Sequence, residues 1–297
     1  MKVLCLGETL VDLVCEQPVA RLADAPAFVP HFGGAMANVA VTAARHGAAV
    51  ELLGGAGADA WGAWLQANLR REGVGLEFFA LVDGAPTAVA FVTVDRAGEP
   101  DFLIYGAGIH AAIAAAGPRL PEAVEGCDAL VFASNTLLDA GERQVTLDAR
   151  AAMLERGRPV IFDPNLRLHR WESPARAISL ARECLSGLFL LKCNAHEAEL
   201  LTGEPDPEAA AAGLLAGGVR NVVITLGARG AILRGEVPAN VPGVPARVVD
   251  ATGAGDALLG VLVARLAASA FYAPSIAAGL RDAVAEAARV TERWGAT

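Results

Sequence analysis

Lysine is almost missing from this chain of 297 residues: Lys2 and Lys192 are its two, and the rest of its 24 basic residues are arginines. No Lys/Arg run is dense enough to follow a phosphate backbone, and 33 acidic residues leave a net charge of −9, which argues against a nucleic-acid partner. Cysteine is scarce and unpatterned. The five (Cys5, Cys15, Cys127, Cys184, Cys193) are odd in number and form no C-x-x-C pair. That excludes a zinc ribbon or a disulfide framework and predicts small core residues in a reducing compartment, the cytoplasm. A signal-peptide core is missing too, because the apolar run Val3 to Leu6 is cut short by Gly7 and Glu8. Ala257 to Leu280 carries one charge, Arg265, yet Gly260, Pro274 and its small residues fit a buried helix pair better than a membrane span. Neither lysine follows a glycine, so there is no Walker A loop, and G-x-S-x-G, H-E-x-x-H and H-R-D are absent. His196-Glu197 lacks a second histidine, and no histidine is assigned to a metal.

What is present is apolar and alternating. Hydrophobic residues make up 54% and charged residues 19%, the balance of a soluble globular chain long enough for a sizeable core. Val3–Gly7, Val50–Leu53, Ala129–Ala133, Val160–Asp163, Leu188–Leu191 and Val222–Thr225 read as buried strands. Between them Ala35–His46, Trp61–Arg71, Glu142–Arg156, Pro174–Cys184 and Pro207–Leu215 carry apolar residues at helical spacing. The alternation predicts an α/β sandwich with a mostly parallel central sheet covered on both faces. Val11–His31 and Thr87–Tyr105 break it, reading as hairpins with no helix to cover them. They predict a small second sheet over the C-terminal edge of the main one, a lid or a dimer surface; ordinary surface excursions are the alternative.

The densest chemical signal is Asp250-Ala251-Thr252-Gly253-Ala254-Gly255-Asp256, opening a helix that runs through Arg265. Glycines at 253 and 255 let successive backbone N–H groups turn toward one point, and the helix N-terminus behind them adds partial positive charge, so the loop suits a phosphate. An aspartate in that position suits a base that receives a hydroxyl proton beside a phosphoryl group; simple helix capping is the alternative.

The segment resembles the D-T-G-A-G-D signature of the ribokinase-like (PfkB) family of carbohydrate kinases, in the longer D-x-T-G-A-G-D spelling because Ala251 is interposed. Gly33-Gly34-Ala35-Met36-Ala37-Asn38-Val39-Ala40 resembles the family's G-G-x-x-x-N-x-A, closest to its fructokinase-like form, with Met36 where proline is more usual. Further matches run in order through the chain: Gly7-Glu8 with Asp12, Gly57-x-Asp59-x-x-Gly62, Pro86-Thr87, Asp163-Pro164-Asn165-x-Arg167 with Trp171, Lys192-x-Asn194-x-x-Glu197, and Thr225-Leu226-Gly227-x-x-Gly230.

The resemblance implies one kinase domain over residues 1–297, a three-layer α/β/α ribokinase-like sandwich with β-lid segments at about 11–32 and 86–108. It implies ATP-dependent transfer of the γ-phosphate to a sugar hydroxyl, Mg²⁺, and a homodimer joined through the lids. Carried over, Asp256 is the base, and Gly253, Ala254 and Gly255 form the anion hole. Asp12, Gly33, Gly34, Asn38, Tyr105 and Arg167 hold the sugar; Lys192, Asn194, Thr225, Gly227, Gly230 and Gly255 hold ATP. Glu197 organises Mg²⁺ through water, and Asp250 is placed beside a monovalent cation such as K⁺. In physical terms a polyol needs both a carboxylate acceptor and an amide. Lys192 follows a buried strand, and a nucleotide phosphate would answer its charge; a chain snorkelling to solvent would answer it too. Asn194 and Glu197 also read as a capping Asn and a surface Glu, and the stretch around Thr225 to Gly230 as a plain strand-turn-strand.

The substrate expected is a neutral ketose, fructose. Relatives acting on 2-keto-3-deoxygluconate usually place an arginine just after the tyrosine corresponding to Tyr105, whereas here no Lys or Arg occurs between Arg96 and Arg119. Arg167 could still bind an acid, so 2-keto-3-deoxygluconate kinase stands as an alternative within the family, with ribokinase and nucleoside kinase. From other classes, Gly55-x-Gly57-x-x-Ala60 has the form of a dinucleotide fingerprint and would suit an NAD-dependent oxidoreductase, and a non-catalytic sugar-binding protein could keep the fold.

Overall fold

The computed structural model describes residues 1–106 and 108–297. In chain order the strands are β1 (Lys2–Leu6), β2 (Leu10–Val14), β3 (Val29–Gly33), β4 (Ala49–Gly57), β5 (Phe79–Val82), β6 (Val89–Val94), β7 (Pro100–Tyr105), β8 (Ala129–Ala133), β9 (Val160–Asp163), β10 (Leu190–Asn194), β11 (Asn221–Thr225), β12 (Ala231–Gly235) and β13 (Ala239–Val241). The helices are α1 (Ala35–Arg45), α2 (Ala60–Arg71), α3 (Gly108–Ala116), α4 (Leu120–Gly126), α5 (Ala140–Glu155), α6 (Pro174–Glu183), α7 (Ala195–Thr202), α8 (Pro207–Ala216), α9 (Ala254–Ala268) and α10 (Pro274–Val290).

Nine strands form one sheet in the order β13-β12-β11-β10-β9-β8-β1-β4-β5, parallel from β11 to β5, with β12 and β13 antiparallel at one edge. The buried runs behave as continuous apolar strands because helices cover both faces. One layer is α1, α2, α9 and α10, packed on Val3, Cys5, Val131 and Val223; the other is α3 to α8, packed on Leu4, Leu6, Leu130 and Phe162. The result is a three-layer α/β/α sandwich. Eleven of the fifteen residues of α9 are buried, which is why its sequence is apolar on almost every side. Among the described residues no helix is long and apolar enough to cross a membrane. All five cysteines are free and buried.

The second sheet, β3-β2-β6-β7, is built from the two segments that interrupt the alternation. β2 and β3 pair antiparallel, as do β6 and β7, and β2 joins the two pairs by running parallel to β6. β2 follows β1 after three residues, and Gly34 alone separates β3 from α1, so this lid is hinged at the C-terminal end of β1. Ala107, inside the expected lid segment 86–108, lies outside the described residues.

Short elements are missing from the expected set: β5, β13, α3, α4 and α7 are three to nine residues long, too short to show a period. The strand expected at Leu188–Leu191 lies at Leu190–Asn194, because β11 pairs with Leu191 through Asn194 and draws the ladder past Lys192. The dinucleotide form at Gly55 and Gly57 has a packing cause. A Cβ would come within 2.1 Å of the Ala80 carbonyl at Gly55 and of the Ala85 carbonyl at Gly57. The Asp59 carboxylate caps α2: its Oδ1 accepts from Gly62 N and Thr87 Oγ1 and its Oδ2 from Thr87 N, at 2.7 to 2.8 Å.

Candidate active site

The C-terminal ends of β9, β10 and β11, the first turns of α1 and α9, and the inner face of the lid enclose a cleft of about 290 Å³. An opening at the carboxyl ends of parallel strands is where such sheets bind ligands, and this volume suits a small molecule.

Gly253 caps α9 in the left-handed region, φ 77°, where a Cβ would lie 2.4 Å from the Ala296 carbonyl. Only glycine fits both demands. The loop is tied down by Asp250, fully buried, whose Oδ1 accepts from Thr252 N at 2.8 Å and Oδ2 from Gly295 N at 3.0 Å. Asp250 builds the loop and is not among the residues lining the cleft. Thr252, Gly253, Gly255 and Asp256 do line it. Ala254 is the first residue of the helix behind them.

Asp256 is buried, and its Oδ2 accepts from Asn38 Nδ2 at 2.9 Å. Burial pushes its carboxyl up to about 7; the Lys192 ammonium pulls against burial, and Asp163 adds to it. Asp12 is pushed up to about 8, by burial first and then by the carboxylates of Asp250, Asp256 and Glu8. Gly33 does not reach the cleft; a Cβ there would lie 2.2 Å from Asp12 Oδ2, so its role is to seat that carboxylate.

Lys192 does not snorkel. Its Nζ donates to Asp163 Oδ2 at 2.7 Å, on the neighbouring strand, and it is 5% exposed. Burial works against its charge, but the carboxylates of Asp163, Glu197 and Asp256 outweigh that and raise its pKa. A Cβ on Gly255 would come within 2.6 Å of Nζ, which puts the ammonium directly against the anion loop. Asn194 and Glu197 form a capping box on α7. Glu197 is buried rather than at the surface; its Oε1 accepts from Leu166 N and its Oε2 from Asn194 N. Both residues line the cleft, as does Thr225. Gly227 and Gly230 do not: they shape the turn between β11 and β12, where a Cβ on Gly230 would meet the Val241 carbonyl at 2.1 Å.

At the other end of the cleft stand Asp12, Gly34, Asn38 and Arg167, with Phe102 and Ile104 of the lid above them. Tyr105 is a correction. Side chains alternate along β7, so Phe102 and Ile104 face the cleft, whereas Leu103 and Tyr105 face outward, Tyr105 55% exposed and edge-on to Phe91. Sequence reasoning gave no role to Glu8, Asn135, Asn165, His169 and Arg170, which also line the cleft. Glu8 and Asn165 belong to quoted motifs, and the left-handed φ of 42° at Asn165 marks a strained turn there.

Five buried polar atoms in this cleft have no hydrogen-bond partner within the described protein: Glu8 Oε2, Asn38 Oδ1, Asp163 Oδ1, Asn165 Oδ1 and Thr252 Oγ1. Buried polar groups are otherwise almost always paired, so this grouping calls for a polar ligand. Among the described residues no three His, Cys, Asp or Glu side chains are placed to hold a metal by themselves. Asp163 Oδ1, with Asn165 beside it in sequence, fits a cation that keeps much of its water and takes other ligands from a phosphate, as Mg²⁺ does.

A three-layer sandwich with a β lid closing over an anion loop and a buried aspartate is the architecture of a small-molecule phosphotransferase. Comparison with known proteins makes this specific. The model of the pfkB family carbohydrate kinases matches residues 1–297. Fructokinase-1 of Oryza sativa subsp. japonica is 33% identical over 269 residues, covering 89% of this chain and 82% of the relative, and Fructokinase-1 of Zea mays is 32% identical over 266. The crystal structure of fructokinase from Vibrio cholerae O395 with fructose, ADP and calcium ion superposes with a TM-score of 0.86 at 27% identity, covering 99% of this chain and 94% of that one. Aminoimidazole riboside kinase from Salmonella enterica, complexed with its riboside and an ATP analogue, gives 0.84 at 28% identity, covering 100% and 95%. The chain belongs to the pfkB family of carbohydrate kinases, enzymes that transfer phosphate from ATP to a sugar.

Proposed function

We propose that this chain, working as one unit over residues 1–297, is a fructokinase in which Asp256 accepts the proton of a primary hydroxyl as that oxygen attacks the γ-phosphorus of ATP. The observation that carries the reading is the buried carboxylate at the N-terminus of α9, fixed by Asn38 through one oxygen and raised to about 7. A base is most effective when its pKa lies near the working pH. The amides of Gly253, Ala254 and Gly255 stabilise the transferring phosphoryl group, and Lys192 lends its charge to the same place. Asp12, Gly34, Asn38 and Arg167 orient the sugar while Phe102 and Ile104 exclude water. Mg²⁺, when bound with the nucleotide, offsets phosphate charge; Asp163, Asn165 and Glu197 are the residues to hold its water shell. Lys192, Asn194 and Thr225 face the nucleotide, with Gly227 and Gly230 shaping the turn behind. Asp250 orders the loop beside which a monovalent cation would sit.

The lid's outer face, with Leu103 and Tyr105 exposed around Phe28 and Phe91, is the surface for a homodimer. The working compartment is the cytoplasm, in keeping with five reduced cysteines.

An acidic sugar, 2-keto-3-deoxygluconate, is a second reading. It is favoured by Arg167, His169 and Arg170 in the cleft, cations that a search near Tyr105 does not find. A coupled ADP-release assay over fructose, ribose, a nucleoside and the keto-deoxy acid tests both. The highest kcat/KM falls on fructose; a tenfold preference for the acid, about 1.4 kcal/mol in transition-state binding, overturns that. ADP with Mg²⁺ raises the melting temperature by mass action and NAD does not; a shift with NAD alone would return the dehydrogenase reading.

A further inference from the structure

Glu8 stands in the three-residue link between β1 and β2, 3% exposed, with its carboxylate in the cleft. Its two oxygens are treated unequally. Oε1 accepts from Asn135 Nδ2 at 3.0 Å and from Ala35 N at 3.2 Å, whereas Oε2 is buried and has no donor within the described protein. A buried carboxylate oxygen without a donor carries a desolvation cost that a purely structural glutamate would avoid.

The orientation of the amide next to it is imposed from outside. Arg170 Nη1 lies 3.3 Å from Asn135 Oδ1. Because a guanidinium only donates, that contact assigns Oδ1 to the arginine and turns Nδ2 toward Glu8. Burial pushes the Glu8 carboxyl up, and its own backbone amide, the Arg170 charge, the Ala35 amide and Asn135 pull it back. Asp12, a second buried carboxylate, lines the same end of the cleft. Two carboxyl groups suit a partner rich in hydroxyls, which both give and take hydrogen bonds.

We propose that Glu8 binds a hydroxyl of the acceptor sugar through Oε2, and that Arg170, acting through Asn135, is the positioning residue that aims this oxygen. The proposal rests on the sugar-kinase reading and deepens it: Arg170 serves Glu8 and is not a clamp for an acidic substrate.

The test is steady-state kinetics on fructose and its monodeoxy analogues with the wild type, Glu8→Gln, Arg170→Ala and Arg170→Lys. In the wild type, one analogue loses about tenfold in kcat/KM, the usual worth of a buried hydroxyl contact to a charged group. Glu8→Gln loses a comparable factor on fructose and no longer distinguishes that analogue. Arg170→Ala raises the KM for sugar about fivefold, with kcat and the KM for ATP within twofold, and Arg170→Lys recovers most of the loss. If the deoxy penalty persists undiminished in Glu8→Gln, or if Arg170→Ala leaves the sugar KM unchanged, the proposal fails while the kinase reading stands. Should Glu8→Gln not fold, the partly exposed Arg170 decides the matter alone. A wild-type protein that phosphorylates no sugar overturns the kinase reading, and this proposal with it.

Discussion

Asn38 Nδ2 donates to Asp256 Oδ2 across 2.9 Å, joining helices whose residues stand 218 positions apart. One contact thereby couples the motif that orients the acceptor to the motif that faces the phosphate, and it leaves Asp256 Oδ1 for a hydroxyl.

Asp256→Asn should cut turnover by roughly 10² to 10⁴ while the protein stays folded. Its stability should move the other way. The folded carboxyl is pushed up to about 7, against 3.8 for an ordinary aspartate. The wild type therefore holds this increment of stability below about pH 4 and loses it as pH rises to 7. The neutral amide escapes that loss, so the melting temperature of the variant relative to wild type should climb across that window and level off above it. Melting curves at pH 4, 5.5 and 8 check the sign.

The same titration should appear in catalysis. A base must be ionised, so kcat/KM should fall as pH drops below about 7, approaching tenfold per unit. Asn38 holds the ionised form, so Asn38→Ala should move the limb to higher pH. A limb that stays in place in Asn38→Ala would detach it from Asp256.

Neighbouring glycines should fail differently. At Gly253 an added Cβ meets the backbone of Ala296 in a left-handed turn, so Gly253→Ala should cost about 1 to 3 kcal/mol of stability. At Gly255 the added Cβ meets only the end of the Lys192 side chain and no backbone. Gly255→Ala should keep the fold and lose turnover, by roughly tenfold or more. Thermal melts and kcat, measured on both, separate the two losses.

On the lid, Leu103 and Tyr105 are 45% and 55% exposed. The double variant Leu103→Glu, Tyr105→Glu should halve the mass seen by light scattering at micromolar concentration. Equal masses for variant and wild type would remove the lid from the interface.

The parts of the site that lie close together in sequence were legible. The loop 250–256 and the segment 33–38 each carry their chemistry within one turn, and the buried strands announce themselves by apolar runs. Lys192 showed that it needed an answer to its charge, but not which one, since Asp163 lies 29 positions back and arrives through parallel pairing of β9 with β10. Glu8, Asn135 and Arg170 come from three separate connections and meet only in the folded sheet. Tyr105 was misplaced because alternation tells that neighbours face opposite ways, not which way is inward. The capping role of Glu197 was written in its spacing from Asn194; its burial was not.

β1 lies inside the sheet, with Leu4 paired to Glu51 on one side and to Leu130 on the other. On a ribosome adding roughly 5–20 residues per second, the edge of β1 that awaits β8 stays uncovered for on the order of ten seconds. The lid hairpin is already made by then, and its apolar outer face is uncovered too. Parallel pairing over such separations is slow, and an unpaired strand edge is adhesive. The yield of this protein in a cell should therefore respond to what shelters β1 during synthesis, growth temperature and chaperone supply, as well as to the stability of the finished enzyme.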